Sequence, residues 1–200
     1  GHGSSGATSL VAGCLFLGGV GNRRGQDDEG NTITDVDPEE IERKISITSA
    51  IAFVEWNKTK INLIDTPGKG VFIQDARNSM RVADAAMVLV EAVSGVEVQT
   101  EKVFNFSEEF QLPVMLVINK LDRENAAFDK AVSSIQQFFS RIAIPVQLPI
   151  GTEKNFRGII DLIELRAYQY EPNGLGKFKE IEVPSDLQDE AQKAHEAIVE

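Results

Sequence analysis

Two hundred residues, 42% hydrophobic and 26% charged, describe an ordinary globular chain long enough for one full domain and part of another. A net charge of −11 argues against holding free DNA or other nucleic acid by an electrostatic footprint. The longest apolar runs, residues 85–90 and 113–118, fall far short of the roughly 20 residues a membrane-crossing helix needs.

The lone Cys14 rules out an intrachain disulfide framework and a cysteine-based zinc site, and it suits a reducing compartment. No secretory signal is visible. The chain starts inside what reads as a motif and stops inside a helical pattern, so a fragment of a longer protein is expected.

In chain order, residues 8–17 place Leu10, Cys14 and Leu17 on one helical face, and Gly18-Gly19 supplies a stop. Residues 20–44 turn to glycine, arginine and acids (Arg23-Arg24-Gly25, Asp27-Asp28-Glu29-Gly30, then Asp35 to Glu42) and read as a disordered or functional loop. Residues 51–56 and 60–64 read as strands joined by Asn57-Lys58-Thr59. Residues 85–90 and 113–118 are runs of buried-strand type, and 72–83, 98–110 and 126–142 carry helix spacing. Strands alternating with helices imply a mostly parallel sheet covered by helices on both faces, an α/β class. Beyond Pro145 the pattern changes: 156–162 and 165–170 suggest a strand pair, Pro172-Asn173-Gly174 a turn, and 186–200 an acidic helix. A domain boundary is expected near Gly151.

Three elements carry chemistry. Gly1-His2-Gly3-Ser4-Ser5-Gly6-Ala7-Thr8 matches the phosphate-cradling pattern G-x-x-x-x-G-K-[ST] except that Ala7 stands where lysine belongs. In such a loop backbone N–H groups and the helix N-terminus hold phosphate oxygens, a hydroxyl holds magnesium, and the lysine neutralises the outer phosphates. The glycines and Thr8 keep the first two parts; the bland alternative is a glycine-rich turn that only begins a helix. Next, Asp65-Thr66-Pro67-Gly68 follows an apolar strand, delivering an acid to the carboxyl end where open α/β sheets bind ligands. Asp65 there suits a magnesium-water contact and the Gly68 N–H a γ-phosphate, or Asp65 simply caps a turn. Last, Asn119-Lys120-Leu121-Asp122 follows a buried strand. The Asp122 carboxylate can accept two hydrogen bonds from guanine N1 and its exocyclic amine, which adenine cannot offer, and the Lys120 stem can cover the base.

The order of these elements, together with Glu42-Arg43-Lys44-Ile45-Ser46-Ile47-Thr48, Asn78-Ser79-Met80-Arg81-Val82-Ala83-Asp84, Gly95-Val96-Glu97-Val98-Gln99-Thr100-Glu101 and Gln147-Leu148-Pro149-Ile150-Gly151, resembles the translational GTPases, closest to the GTP-binding domain of the bacterial elongation factor G family. The likeness runs over nearly all 200 residues; the sibling ribosome-protection proteins are similar but less close. It implies a P-loop GTPase domain over residues 1–150 lacking its first strand, and the start of an inserted α+β subdomain over 151–200. It also implies GTP/GDP and Mg2+ as cofactors, the ribosome as partner through the full-length protein, a cytoplasmic location and a monomer without a membrane role. Residues 20–44 would be the first switch. Ser46 falls where the family has a magnesium-binding threonine, so the implied metal set is Thr8, Ser46 and Asp65.

The resemblance also exposes departures. Ala7 replaces the phosphate lysine, Lys69 stands where the family places the histidine that positions the attacking water, and Val71 stands where aspartate is usual. Lys69 is then either a solvated side chain or a replacement cation for the γ-phosphate. The implied function is GTP-driven ribosomal translocation with phosphate binding and hydrolysis weakened at Ala7 and Lys69. The competing reading is a nucleotide-dead module that keeps the GTPase fold to dock on a ribosome or protein partner; Asn119-Lys120-Leu121-Asp122 disfavours an ATP-dependent enzyme. His2, His195 and Trp56 carry no separate signal.

Overall fold

A computed structural model describes residues 1–21, 25, 32–139, 143–172 and 176–199. Arg23-Arg24, the acids at 27–29 and the Asn173-Gly174 turn lie outside them. The described chain divides into two compact units, Gly1–Val90 with Glu97–Asn119, and Glu91–Val96 with Lys120–Glu200.

The first unit begins with the glycine-rich loop and helix α1 (Ala7–Leu17). Gly6 precedes the helix at φ 93°, a left-handed conformation that glycine adopts without a steric cost. Its buried stripe is Thr8, Ala12 and Leu15, while Leu17 is 59% exposed, so the expected face of Leu10, Cys14 and Leu17 is not the core face. Apolar residues surround this helix, and the turn that presents Thr8 inward sets its rotation instead of the periodicity. Gly18 ends it, its N–H bonded to the Cys14 carbonyl at 2.9 Å.

Within the segment read as a loop, Asp37-Pro38-Glu39-Glu40 opens a six-residue helix α2 (Pro38–Arg43). Asp37 accepts from the Glu39 N–H, Glu40 reaches back to the Asp37 N–H, and proline occupies the first turn, where its missing donor costs nothing. Strands β1 (Ala50–Trp56) and β2 (Thr59–Asp65) form an antiparallel hairpin whose register runs from Trp56↔Thr59 to Ala50↔Asp65. Asn57 and Lys58, both at positive φ, make the turn. After a 3-10 turn at Gly70–Phe72 come α3 (Ile73–Met80), β3 (Ala86–Glu91), α4 (Val98–Glu109) and β4 (Val114–Asn119). A core of Ala76, Val88 and Val103 binds α3 and α4 to β3, with Ile73, Phe106 and Leu116 packed on it.

β3 pairs with β4, and β1 with β2, as separate two-stranded ladders. The expected alternation of strands and helices is thus present. The second unit contains α5 (Phe128–Phe138) and an antiparallel sheet in the order β5 (Gln147–Ile150), β6 (Gly158–Asp161), β7 (Arg166–Tyr170), β8 (Phe178–Ile181). Helix α6 (Gln188–Val199) covers it, and Leu148, Ile150, Ile160, Leu162, Ala167 and Ala191 form the core.

Candidate functional site

The loop of residues 1–8 folds on itself, with the Ser5 N–H donating to the His2 carbonyl at 3.1 Å. Two of its glycines have neighbours that leave no room: a Cβ on Gly1 would stand 2.5 Å from the Leu89 carbonyl oxygen, and one on Gly6 2.5 Å from Asn119 Nδ2. Asn119, at the end of β4, donates from Nδ2 to the Ser5 carbonyl at 2.8 Å. It therefore latches the loop by its backbone rather than facing solvent. Ser5 and Thr8 are buried, Ser4 is exposed, and His2 Nε2 lies 3.6 Å from Glu97.

Two segments approach this loop within the same unit. The first brings Ser46 Oγ to 3.1 Å from Thr8 Oγ1, and Thr34 Oγ1 donates to Asp65 Oδ2 at 2.9 Å. Asp35 is buried, hydrogen-bonded to Ser46 and near Glu40; burial pushes its carboxyl up, Glu40 adds to the rise, and the bonds from Ser46 and Thr32 partly offset it. Glu40 is 2% exposed. Its Oε1 accepts the Ile47 N–H at 2.8 Å, the Thr48 N–H at 3.1 Å and the Thr48 hydroxyl at 3.4 Å, while Oε2 accepts the Asp37 N–H at 3.2 Å. Burial alone would raise this carboxyl, but those bonds bring it below the usual glutamate value. Glu40 thereby ties down both flanks of the strip that carries Ser46.

The second segment follows β2, whose last residue is the buried Asp65. Thr66 is partly buried and Pro67 buried. A Cβ on Gly68 would stand 2.9 Å from both Cα and N of Gly3, so the two backbones touch. Lys69 and Gly70 are exposed, and Val71 is 84% exposed.

Hard oxygen donors converge at Thr8 and Ser46, and Asp65 lies at the end of the adjacent strand. This set fits magnesium, which keeps several waters and takes phosphate oxygens alongside one or two protein groups. Among the described residues, no cluster of three or more His, Cys, Asp or Glu could hold a metal by itself.

In the second unit Lys120 stands at φ 63° with Nζ 3.0 Å from Glu91 Oε1, and Ser94 donates to the other oxygen of Glu91 at 3.2 Å. Burial raises the Glu91 carboxyl, yet the bond and charge of Lys120 leave it below its ordinary value. The Leu121 carbonyl accepts the Glu153 N–H at 3.0 Å, which fixes the turn. Asp122 is exposed, and among the described residues no hydrogen bond or ion pair engages its carboxylate. His195 Nδ1 meets the Leu162 carbonyl at 2.6 Å, and Trp56 is exposed at the hairpin tip.

Compared with known families, the chain matches the elongation factor Tu GTP binding domain over residues 1–196. It belongs to that family. Elongation factor G of Gluconobacter oxydans is 40% identical over 200 residues, covering 100% of this chain and 29% of the relative. Elongation factor G of Granulibacter bethesdensis is 36% identical with the same coverage. A crystal structure of a Thermus thermophilus protein superposes with a TM-score of 0.91 at 31% identity, over 98% of this chain and 29% of that one. The fold is therefore that of a P-loop GTPase, and the sequence is that of an elongation factor G-like GTP-binding domain. The chain spans 29% of the length of these relatives. Among its described residues no helix is long and apolar enough to cross a membrane.

Glu40, Thr34, Asp35 and Glu91 were not picked out as site residues by sequence reasoning. For Glu40 a signal existed, since Asp37-Pro38-Glu39-Glu40 is a helix-start signature that places an acid three residues after its cap.

Proposed function

We propose that this chain is the GTP-binding portion of an elongation factor G-like translation factor, acting in the cytoplasm on the ribosome through the longer protein of which it forms part. The observation that carries the reading is the Asn119–Ser5 hydrogen bond, which supports treating the first residue of the third motif as part of the phosphate-loop site. Residues 1–8 would cradle the phosphates with backbone N–H groups, Gly68 would meet the γ-phosphate, and Asp122 would accept from guanine while Lys120 covers the base. Residues 1–150 would form the GTPase domain and 151–200 open an inserted subdomain, in a protein that works as a monomer.

Thr8 and Ser46 would hold magnesium with Asp65 behind it. Bound there, the ion would neutralise charge on the β- and γ-phosphate oxygens. Ala7 leaves the loop without its ammonium, so triphosphate binding is weak. Lys69 weakens hydrolysis separately, because a lysine ammonium has donors only and no lone pair with which to orient the attacking water. Those two residues also favour the second reading, a nucleotide-dead module that docks on a partner.

Titration of the full chain with GTP, GDP and ATP in the presence of magnesium separates the readings. Guanine nucleotides should bind, weakly, and ATP should not; Ala7→Lys should tighten GTP by about ten- to hundredfold, the worth of one charge-assisted contact. Equal affinity for ATP and GTP sinks the guanine reading, and no binding even with Ala7→Lys sinks it and leaves the second.

A further inference from the structure

The phosphate loop lacks a cation of its own. Of residues 1–8 only His2 titrates in its side chain, and it lies beside Glu97. A triphosphate in that loop would meet backbone donors and hydroxyls but no ammonium. The geometry nevertheless brings a lysine to the loop from outside. Gly68 and Gly3 are in backbone contact, and this contact is possible because Gly68 carries no side chain. It sets residue 69 directly beside the loop. The stem of Lys69 then runs over the loop rather than away from it: Cδ lies 3.9 Å from where a Gly3 Cβ would stand, on the same side as the Gly68 carbonyl at 3.5 Å. Lys69 is exposed, and among the described residues no carboxylate pairs with its ammonium, which sits two bonds beyond Cδ.

We propose that Lys69 is a phosphate-binding residue that supplies, from the segment after Asp65, the ammonium that Ala7 cannot. The idea rests on the nucleotide-site reading above and names the ligand chemistry of that same site as the outer phosphates of a nucleoside triphosphate. A lysine suits the task better than an arginine would. Its ammonium is a compact point charge with three rotatable donors on a flexible stem, and it need not match the plane of the group it meets. A lysine in the loop itself would be enclosed by backbone, whereas Lys69 is open to water. Its contribution is therefore smaller and more sensitive to salt.

The experiment is a four-way comparison of GTP binding by the full chain in magnesium: unaltered, Lys69→Met, Ala7→Lys, and both together, with Lys69→Arg as a charge-keeping control. Lys69→Met should weaken GTP by roughly three- to tenfold at low salt, a loss that shrinks as KCl is raised, and Lys69→Arg should retain most of the affinity. In the Ala7→Lys background the same Lys69→Met change should cost clearly less, because the phosphates already have their cation. Thermal unfolding should be unmoved by the substitutions at the exposed Lys69, which separates loss of binding from loss of fold. GTP binding that Lys69→Met leaves intact overturns the proposal while leaving the nucleotide reading in place. An equal loss in both backgrounds overturns it too, since Lys69 would then not be standing in for Ala7, as would binding that emerges only with Ala7→Lys. No binding by any of the proteins overturns the nucleotide reading itself.

Discussion

The two segments that close on the phosphate loop are built to opposite degrees. Residues 32–48 are held from within: Glu40 is buried with four hydrogen bonds, Thr34 is bonded to Asp65, and Asp35 to Ser46. Residues 68–71 are held by fit, through the contact of Gly68 with Gly3 and one bond from the Phe72 N–H to the Lys69 carbonyl, and their side chains face water. The same loop thus meets one wall whose position depends on a single carboxylate and another whose position depends on the absence of a Cβ. Side-chain chemistry can change at the exposed positions 69 and 71 of the second wall without harming the fold, whereas Gly68 cannot take a side chain without meeting Gly3.

The largest effect should come from the first wall. Glu40→Ala removes the buried carboxylate that accepts the N–H groups of Asp37, Ile47 and Thr48 and should lower stability by about 3 kcal/mol in urea unfolding, because three donors lose a charged acceptor together. An unchanged midpoint would mean that the carboxylate does not hold this segment. On the second wall the matching change is Gly68→Ala. Its Cβ would meet the Gly3 backbone, which cannot rotate away, and the expected cost is about 1–3 kcal/mol; a neutral outcome would show that the walls are not pressed together.

Acid titration sharpens the contrast. Glu40 has a depressed folded-state pKa, so the stability it contributes is complete above the ordinary glutamate value of 4.5 and drains away as pH falls below it. Asp35 is raised and works the other way: its ionisation costs the folded state at neutral pH, and the cost is relieved as pH falls. Glu40→Gln should therefore flatten the loss of stability below about pH 4.5, and superimposable acid-unfolding curves would contradict this. The smallest effect is expected at Val71, where Val71→Asp should shift stability by no more than about 0.5 kcal/mol, measured by thermal unfolding, because the side chain touches little.

Much of this was legible in the sequence because it depends on local rules. The hairpin of β1 and β2 follows from alternation around a turn, and α4, β3 and β4 follow from period and run length. The three motifs were readable because glycines, a strand-end acid and an Asn-Lys-x-Asp run each have a mechanism. Long-range facts were not legible. Thr8 on the buried stripe of α1 meets Ser46, 38 residues away, and no periodicity within the helix encodes that. The role of Asn119 as a latch on Ser5 spans 114 positions. Residues 32–44 read as a disordered or functional loop because their order comes from one buried carboxylate bonding across the turn rather than from an apolar pattern.

Exchanging the base tests whether Asp122 reads guanine. Asp122→Asn should lose GTP affinity and gain xanthosine triphosphate, since the amide presents a donor where the carboxylate accepted and xanthine offers a carbonyl there. Buried groups left unpaired cost about 1–3 kcal/mol each, so the preference should move by about tenfold or more in titrations of the full chain. GTP and xanthosine triphosphate affinities that stay unchanged in Asp122→Asn would mean that Asp122 does not read the base.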